Sequence, residues 1–217
     1  MQIPSPTTPE AFAILWRAAG CFGDGRTWHE RLRAAWGTPE RAYHTWRHLT
    51  ECLTEWEEAR EDFNSCCDVH AVGMALWFHV AVYDPRASDN EERSANMAAE
   101  ALASGGATEA FSEMVRRLIL ATKTHTASAR PDTVLMLDID LSILGKDMDR
   151  YWEYEAQIRE EYSWVPSMVF AEKRAGILRS FLSRDRLYST PRFYNLYEEA
   201  ARRNIAAAIE RLDGMAH

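Results

Sequence analysis

The chain lacks a basic excess, an apolar run of membrane length and a leader-like N-terminus, and each absence argues against one class of protein. The 25 Lys and Arg residues and the 33 Asp and Glu residues leave a net charge of −8, whereas a binder of nucleic-acid polymers needs a basic face. No stretch reaches the roughly 18 apolar residues of a membrane span, and residues 1–9 show no basic region followed by apolar residues. We therefore expect a cytoplasmic protein that binds neither nucleic-acid polymers nor membranes.

Cysteine is scarce, and its spacing matches neither a zinc finger nor a redox pair. Cys66 and Cys67 are adjacent, which makes an ordinary disulfide between them awkward. We expect these two residues, together with Cys21 and Cys52, to be reduced and structural, as is usual in the cytoplasm.

Strand-like alternation and internal repeats are also missing, whereas helical signals recur along the chain. Apolar residues return at helical spacing from Trp46 to Phe63, and Asp68 precedes a continuously apolar run from Val69 to Val82 that is typical of a helix buried in a bundle. The 47% of hydrophobic residues suffice for one core. The sequence predicts an all-α, single-domain helical bundle over residues 1–217, with a core at about 27–145 and C-terminal helices at about 147–212.

Three histidines are candidates for chemistry. His44 and His48 are four residues apart, so both lie on one face if a helix begins by Tyr43. Such a pair can bind one metal ion, or one ring can bind it while the other donates a proton; a bonded histidine at a helix start is the structural alternative. His79 lies inside the apolar run, where it is either a core histidine bonded to a backbone carbonyl or a metal ligand aimed into the bundle.

Two acids interrupt an apolar helix predicted from Asp132 to Leu144. Asp138 and Asp140 are costly to bury unless they are paired or bound to a cation. Because they are two residues apart, they face different sides of the helix. We expect at most one of them to bind a metal ion directly and the other to be a cap or an ion-pair partner.

The order and context of these residues resemble the HD-domain superfamily of metal-dependent phosphohydrolases, whose signature is a histidine, a later His-Asp doublet and a distant aspartate on the helices of a bundle. More narrowly, the chain is similar to a small bacterial group of predicted HD phosphohydrolases. The shared motifs are Tyr43-His44 with His48, Trp77-Phe78-His79 with Tyr83-Asp84-Pro85, Asn90-Glu91-Glu92-Arg93-Ser94-Ala95, Asp138-Ile139-Asp140-Leu141 with Leu144-Gly145, and Arg186-Leu187-Tyr188-Ser189-Thr190-Pro191. They span nearly the whole chain.

The resemblance implies a metal site with one altered position. His48, His79 and Asp140 would bind a divalent transition metal such as Mn, Ni, Fe or Zn. Val80 occupies the position of the doublet aspartate and offers no lone pair, so the ion would be held more weakly and magnesium is disfavoured. Asp84, four residues after Val80, is a conceivable substitute, although the proline that follows it favours a helix end there.

The resemblance also implies roles around the metal. His44 would donate a proton to the leaving oxygen, and Glu91 would orient the attacking water. Lys123 and His125 are candidates to bind the phosphate of the substrate, with a second metal ion or a plain loop position as alternatives for His125. Arg174 could neutralise phosphate or simply lie on a charged helix face.

Three functions therefore stay open. The first is a metal-dependent phosphohydrolase that acts on a small phosphate ester or nucleotide through an altered site. The second is an inactive family member that binds a small ligand or a partner, and the third is an iron-dependent oxygenase of the HD type. A homodimer is compatible with the sequence, with Trp152 and Trp164 as candidate interface residues.

Overall fold

The chain is all-helical, as the sequence predicts. The computed structural model describes residues 5–126 and 128–215, which form ten α-helices, one 3₁₀-helix and no strand. Residues 1–4 of the segment assessed for a leader lie outside the described residues. The helices are α1 (Pro9–Ala18), α2 (Arg26–Ala35), α3 (Trp46–Phe63), α4 (Val69–Phe78), α5 (Asn90–Gly105), α6 (Glu109–Ala121), α7 (Pro131–Asp140), the 3₁₀-helix (Leu141–Gly145), α8 (Met148–Glu161), α9 (Ser167–Leu182) and α10 (Pro191–Met215).

The helices divide between two compact units. The first unit ends at Ile139 and contains α1 to α6 and all but the last residue of α7. In it, α5 lies along α6, and α4 contacts α1, α3, α5 and α6. The second unit begins at Asp140, and in it α10 packs against α9 and the 3₁₀-helix. All the predicted site residues except Asp140 and Arg174 belong to the first unit.

Helix α4 is the buried helix that the apolar run predicts. Asp68 caps it, since its Oδ1 accepts hydrogen bonds of 3.0 Å from the backbone N–H groups of His70 and Ala71. Every residue of the helix except His70 is buried. The helix ends at Phe78 and not at Val82, because several backbone groups beyond Phe78 bond side chains from elsewhere in the unit and not helical partners.

The predicted helix from Asp132 to Leu144 is likewise divided, into α7 and the 3₁₀-helix. Side chains of the second unit bond the carbonyl groups of the 3₁₀-helix: Tyr188 Oη donates to Leu141 at 2.8 Å, and Asn204 Nδ2 donates to Leu144 at 2.9 Å. At Gly145 the backbone of α10 comes so close that a Cβ atom would overlap Tyr197. The glycine is therefore required by a close approach of two backbones.

Two findings bear on location and partners. Within residues 5–126 and 128–215, every helix is too short or too polar to cross a membrane. Trp152 is half-buried beneath the guanidinium of Arg211, whereas Trp164 is 49% exposed. The homodimer and the cytoplasmic location stay predictions.

Close packing of α4 can be tested at Gly73. A Cβ atom there would lie 2.6 Å from Cζ2 of Trp56. We predict that Gly73→Ala lowers the free energy of unfolding by about 1–3 kcal/mol, because overpacking outweighs the helix propensity of alanine. Urea unfolding followed by circular dichroism measures the change.

The matched control is Gly176→Ala, at an exposed position of α9 with no atom within 4 Å of the added Cβ. It should raise the free energy of unfolding by about 0.5–1 kcal/mol. If both substitutions stabilise the protein, the close contact between Gly73 and Trp56 is wrong.

Candidate metal centre

Two buried histidines face each other in the first unit. His48 lies in the first turn of α3 and His79 directly follows α4, and their Nε2 atoms are 3.1 Å apart. The two residues are only 2% and 1% exposed. Two nitrogens that each lie 2.0–2.1 Å from one ion are separated by roughly 2.9–3.4 Å for ligand angles of about 90–109°. The spacing of the pair therefore suits two ligands of a single ion.

The tautomer of His79 follows from its backbone partner. Nδ1 lies 2.8 Å from the carbonyl oxygen of Leu76, and because a carbonyl can only accept, Nδ1 carries a proton. In the neutral ring Nε2 then holds the lone pair, on the side that faces His48. The sequence posed a carbonyl-bonded histidine and a metal ligand as alternatives, yet the two roles are compatible, since ligating histidines usually donate their other N–H in this way.

Aromatic rings surround the pair. The Trp36 ring centroid lies 5.6 Å from that of His79 and 6.1 Å from that of His48, and the Tyr43 ring lies 4.7 Å from His48. Both aromatic residues are buried. Such surroundings solvate charge poorly, so a cation bound here needs negatively charged ligands close by.

Cys52, which the sequence predicts to be a structural cysteine, is a third donor at the pair. It lies one helical turn after His48 on α3, is 2% exposed, and places Sγ 3.7 Å from Nδ1 and 3.8 Å from Nε2 of His48. One ligand atom from each of Cys52, His48 and His79 lies within 4.8 Å of the other two. The spacing of four residues between His48 and Cys52 was the signal that could have revealed it.

His44 does not lie on α3. The helix begins at Trp46 with Thr45 as its N-cap, as the apolar pattern predicts, so the condition that would place His44 and His48 on one helical face, a start by Tyr43, is not met. The reason is local, because Thr45 has an extended backbone. The His44 ring nevertheless lies 5.7 Å from the His48 ring and stacks on Tyr83, with ring centroids 4.4 Å apart. It is half-buried, so it lies beside the histidine pair and still meets solvent.

One buried arginine joins the two histidine-bearing segments. The Arg41 guanidinium donates to the carbonyl oxygens of His44 at 2.7 Å, Val80 at 2.9 Å and Ala81 at 3.0 Å. The first carbonyl lies just before α3 and the other two just after His79. A planar donor with five N–H groups suits this bridge, and the bridge fixes the two segments relative to each other.

The predicted Asn-Glu-x-x-Ser-Ala motif anchors the same segment from α5. Asn90 exchanges two hydrogen bonds with the backbone of Asp84, of 3.0 and 2.8 Å. Ser94 exchanges two with the backbone of Val82, of 3.1 and 3.2 Å. Glu91, half-buried in the first turn of α5, lies between these two anchors in the chain. Two of the motif residues thus have a structural role.

The two predicted phosphate ligands lie at the end of α6. The Lys123 ammonium pairs with Glu92 at 2.5 Å and donates to the Ser88 carbonyl at 2.8 Å. The hydrogen bond between Lys123 and Glu92 lowers the pKa of the Glu92 carboxyl and raises the pKa of the Lys123 ammonium. His125 has a backbone φ of 47°, in the left-handed region that non-glycine residues seldom adopt.

The acidic candidates differ in placement. Asp84 is exposed, its Oδ1 accepts from the N–H of Arg86 at 2.9 Å, and it is not in the donor group of the described residues, so the suggested substitution for Val80 is not supported. Asp138 is buried in α7. Asp140 is half-buried, ends α7 and opens the second unit. Its role as a metal ligand stays a prediction.

Comparison with known proteins identifies no relative: no family model, no curated protein and no solved structure matches the chain. The resemblance to the HD-domain superfamily therefore rests on the motifs alone. The geometry of His48, His79 and Cys52 stands independently of it.

The role of Arg41 can be tested by substitution. We predict that Arg41→Lys lowers the free energy of unfolding by about 1–3 kcal/mol, because a single ammonium cannot serve the carbonyls of His44, Val80 and Ala81 together and leaves buried acceptors unpaired. Chemical denaturation measures the loss.

Arg33→Lys is the matched control, because Arg33 lies over Trp46 as Arg41 lies over Trp36, but Arg33 is exposed. Its change should stay within about 0.5 kcal/mol. Equal losses in the two variants would show that the carbonyl bridge contributes nothing specific.

Proposed function

We propose that the protein is a metal-dependent phosphohydrolase that binds a divalent transition metal at His48 and His79 and acts on a small phosphate ester or nucleotide. The observation that carries the proposal is the 3.1 Å separation of the two buried Nε2 atoms, together with the Leu76 carbonyl that holds the proton of His79 on Nδ1. Both features are those of a ligand pair on one ion.

The proposed ligand set has open positions. The resemblance adds Asp140 as a carboxylate ligand, and two histidines with one carboxylate leave room for water and substrate on a transition metal. A bound ion would supply a Lewis acid that polarises a phosphoryl oxygen.

The surrounding residues supply the proton chemistry in this proposal. His44 is half-buried beside the pair, where its imidazole donates a proton to the leaving oxygen. The Glu91 carboxylate, on the helix anchored by Asn90 and Ser94, orients the attacking water. Lys123, which uses two of its three N–H donors on Glu92 and Ser88, offers the third to a phosphate oxygen, with His125 nearby in sequence.

A second candidate function is favoured by one observation. Val80 is buried, 8% exposed, and presents no donor where the family signature has an aspartate. A family member that binds a phosphorylated ligand or a partner without turnover is therefore the alternative. Iron in the purified protein, with no hydrolysis of phosphate esters, would favour an oxygenase.

The test is metal analysis of the protein purified without added metal, followed by assays on a panel of phosphate esters and nucleotides with manganese, nickel or zinc. We predict metal in the parent protein and its loss, together with hydrolysis, in His79→Gln, since glutamine lacks the imidazole lone pair. His70→Gln is the control, because His70 lies on α4, the helix that His79 directly follows, but is partly exposed. If the parent protein contains no metal and hydrolyses none of these substrates, the proposed phosphohydrolase function is wrong.

Restoring the missing carboxylate gives an independent prediction. Val80→Asp should raise the affinity for Mn²⁺ by about tenfold or more, equivalent to about 1.4 kcal/mol, because a charged oxygen ligand joins the set. Equilibrium dialysis measures the affinity. Val82→Asp, which adds the same charge two residues later, should leave it unchanged. If neither variant binds manganese more tightly than the parent, the assignment of His79 and Val80 to the doublet is wrong.

A further inference from the structure

We propose that Cys52 is itself a metal ligand, bound as a thiolate, and that it makes the centre selective for thiophilic ions of the zinc class. This inference rests on the proposed metal function and names the class of ion that the site takes. It concerns only residues of the first unit.

The position of the sulfur fits coordination. At bond lengths of about 2.3 Å for Zn–S and 2.0–2.1 Å for Zn–N, a tetrahedral ion separates sulfur from nitrogen by roughly 3.5–3.6 Å. Cys52 Sγ lies 3.8 Å from Nε2 of His48, close to that separation, and 3.7 Å from Nδ1. Because the sulfur is almost equidistant from the two ring nitrogens, it lies over the imidazole ring, and coordination of an ion at Nε2 requires the sulfur to move away from Nδ1 towards the Nε2 side.

The charge balance calls for a group of this kind. His48 and His79 are neutral as ligands, and Val80 contributes nothing at the position of the family's doublet carboxylate. Two imidazoles and the single carboxylate proposed above would leave a dication enclosed by Trp36 and Tyr43 with one uncompensated positive charge. Among the three clustered side chains, Cys52 is the one that can become negative: on coordination the sulfur–metal bond forms as the thiol proton leaves to solvent.

The consequence is ion selection. Thiolate ligands favour zinc and cobalt over manganese and magnesium, whereas a carboxylate in the same place favours the harder ions. Exchange of the doublet carboxylate for valine, with a cysteine one turn after His48, thus changes the preference of the site as well as its strength.

The experiment is a cobalt titration of the full-length chain in a Cys66→Ser/Cys67→Ser background, since these adjacent, more accessible thiols could bind cobalt themselves. We expect a near-ultraviolet thiolate-to-cobalt charge-transfer band that saturates at a single ion per chain. The band should vanish in Cys52→Ser and persist in Cys21→Ser. Cys21 is a matched control because it too is buried and outside any disulfide, but it lies against Gly105. The ratio of zinc to manganese affinity should fall by about tenfold or more in Cys52→Ser.

The outcomes separate the two proposals. Cobalt bound by the parent without the band, or a band that survives in Cys52→Ser, overturns the thiolate ligand and leaves the metal function standing. No bound cobalt at all, by equilibrium dialysis, refutes both. If Cys52→Ser does not fold, X-ray absorption at the zinc edge of the zinc-loaded background protein decides the matter without that variant: one sulfur neighbour at about 2.3 Å supports the proposal, and nitrogen and oxygen neighbours alone overturn it.

Discussion

The hydrogen bond from His79 Nδ1 to the Leu76 carbonyl is the interaction on which the site depends. It places the imidazole proton on one nitrogen and so leaves the lone pair of the neutral ring on the other, which faces His48. The same bond occupies a carbonyl that a longer α4 would use for the N–H of Val80. This one hydrogen bond thus forms where the buried helix ends and orients His79 as a candidate ligand.

The backbone released at the end of α4 must find other partners, because buried polar groups without them are costly. Arg41 takes the carbonyls of Val80 and Ala81, and Ser94 takes both polar groups of Val82. These bonds come from opposite directions in the chain, one before α3 and one on α5. The early end of α4 therefore connects three segments that bear site residues: the segment before α3, the segment after α4, and α5. The hydrogen bonds from Arg41 and Ser94 offset the free-energy cost of the irregular backbone and fix the three segments relative to one another.

These hydrogen bonds give several motif residues a structural role. Within the Asn-Glu-x-x-Ser-Ala segment, Asn90 and Ser94 bond backbone, and Glu91 is the motif residue for which we propose a chemical role. Lys123 is likewise tied to Glu92. A motif match alone cannot separate residues that hold a segment from residues that act on a substrate, whereas the hydrogen-bond partners of each side chain can.

The sequence predicts the helices well where local signals determine them. The apolar period of α3 gives its two ends, Trp46 and Phe63, and Asp68, which precedes the apolar run in the sequence, caps α4. The end of α4 could not be predicted, because donors about 12 to 40 positions away in sequence, Ser94 and Arg41, determine it. Cys52 was missed for a related reason: a residue four after a histidine shares its helix face, but only packing shows that His79 meets both.

In the proposed metal centre, valine at position 80 in place of a carboxylate has two opposed physical effects. Each anionic ligand strengthens binding and also lowers the residual positive charge with which the ion polarises a substrate oxygen. A centre of two imidazoles and a single carboxylate would be a stronger Lewis acid that is less often occupied. A thiolate from Cys52 would restore occupancy with a ligand that donates more charge than a carboxylate does, at the expense of that acidity. In the proposed centre, metal affinity and hydrolytic rate are therefore separate quantities, and a tightly held ion would not by itself establish turnover.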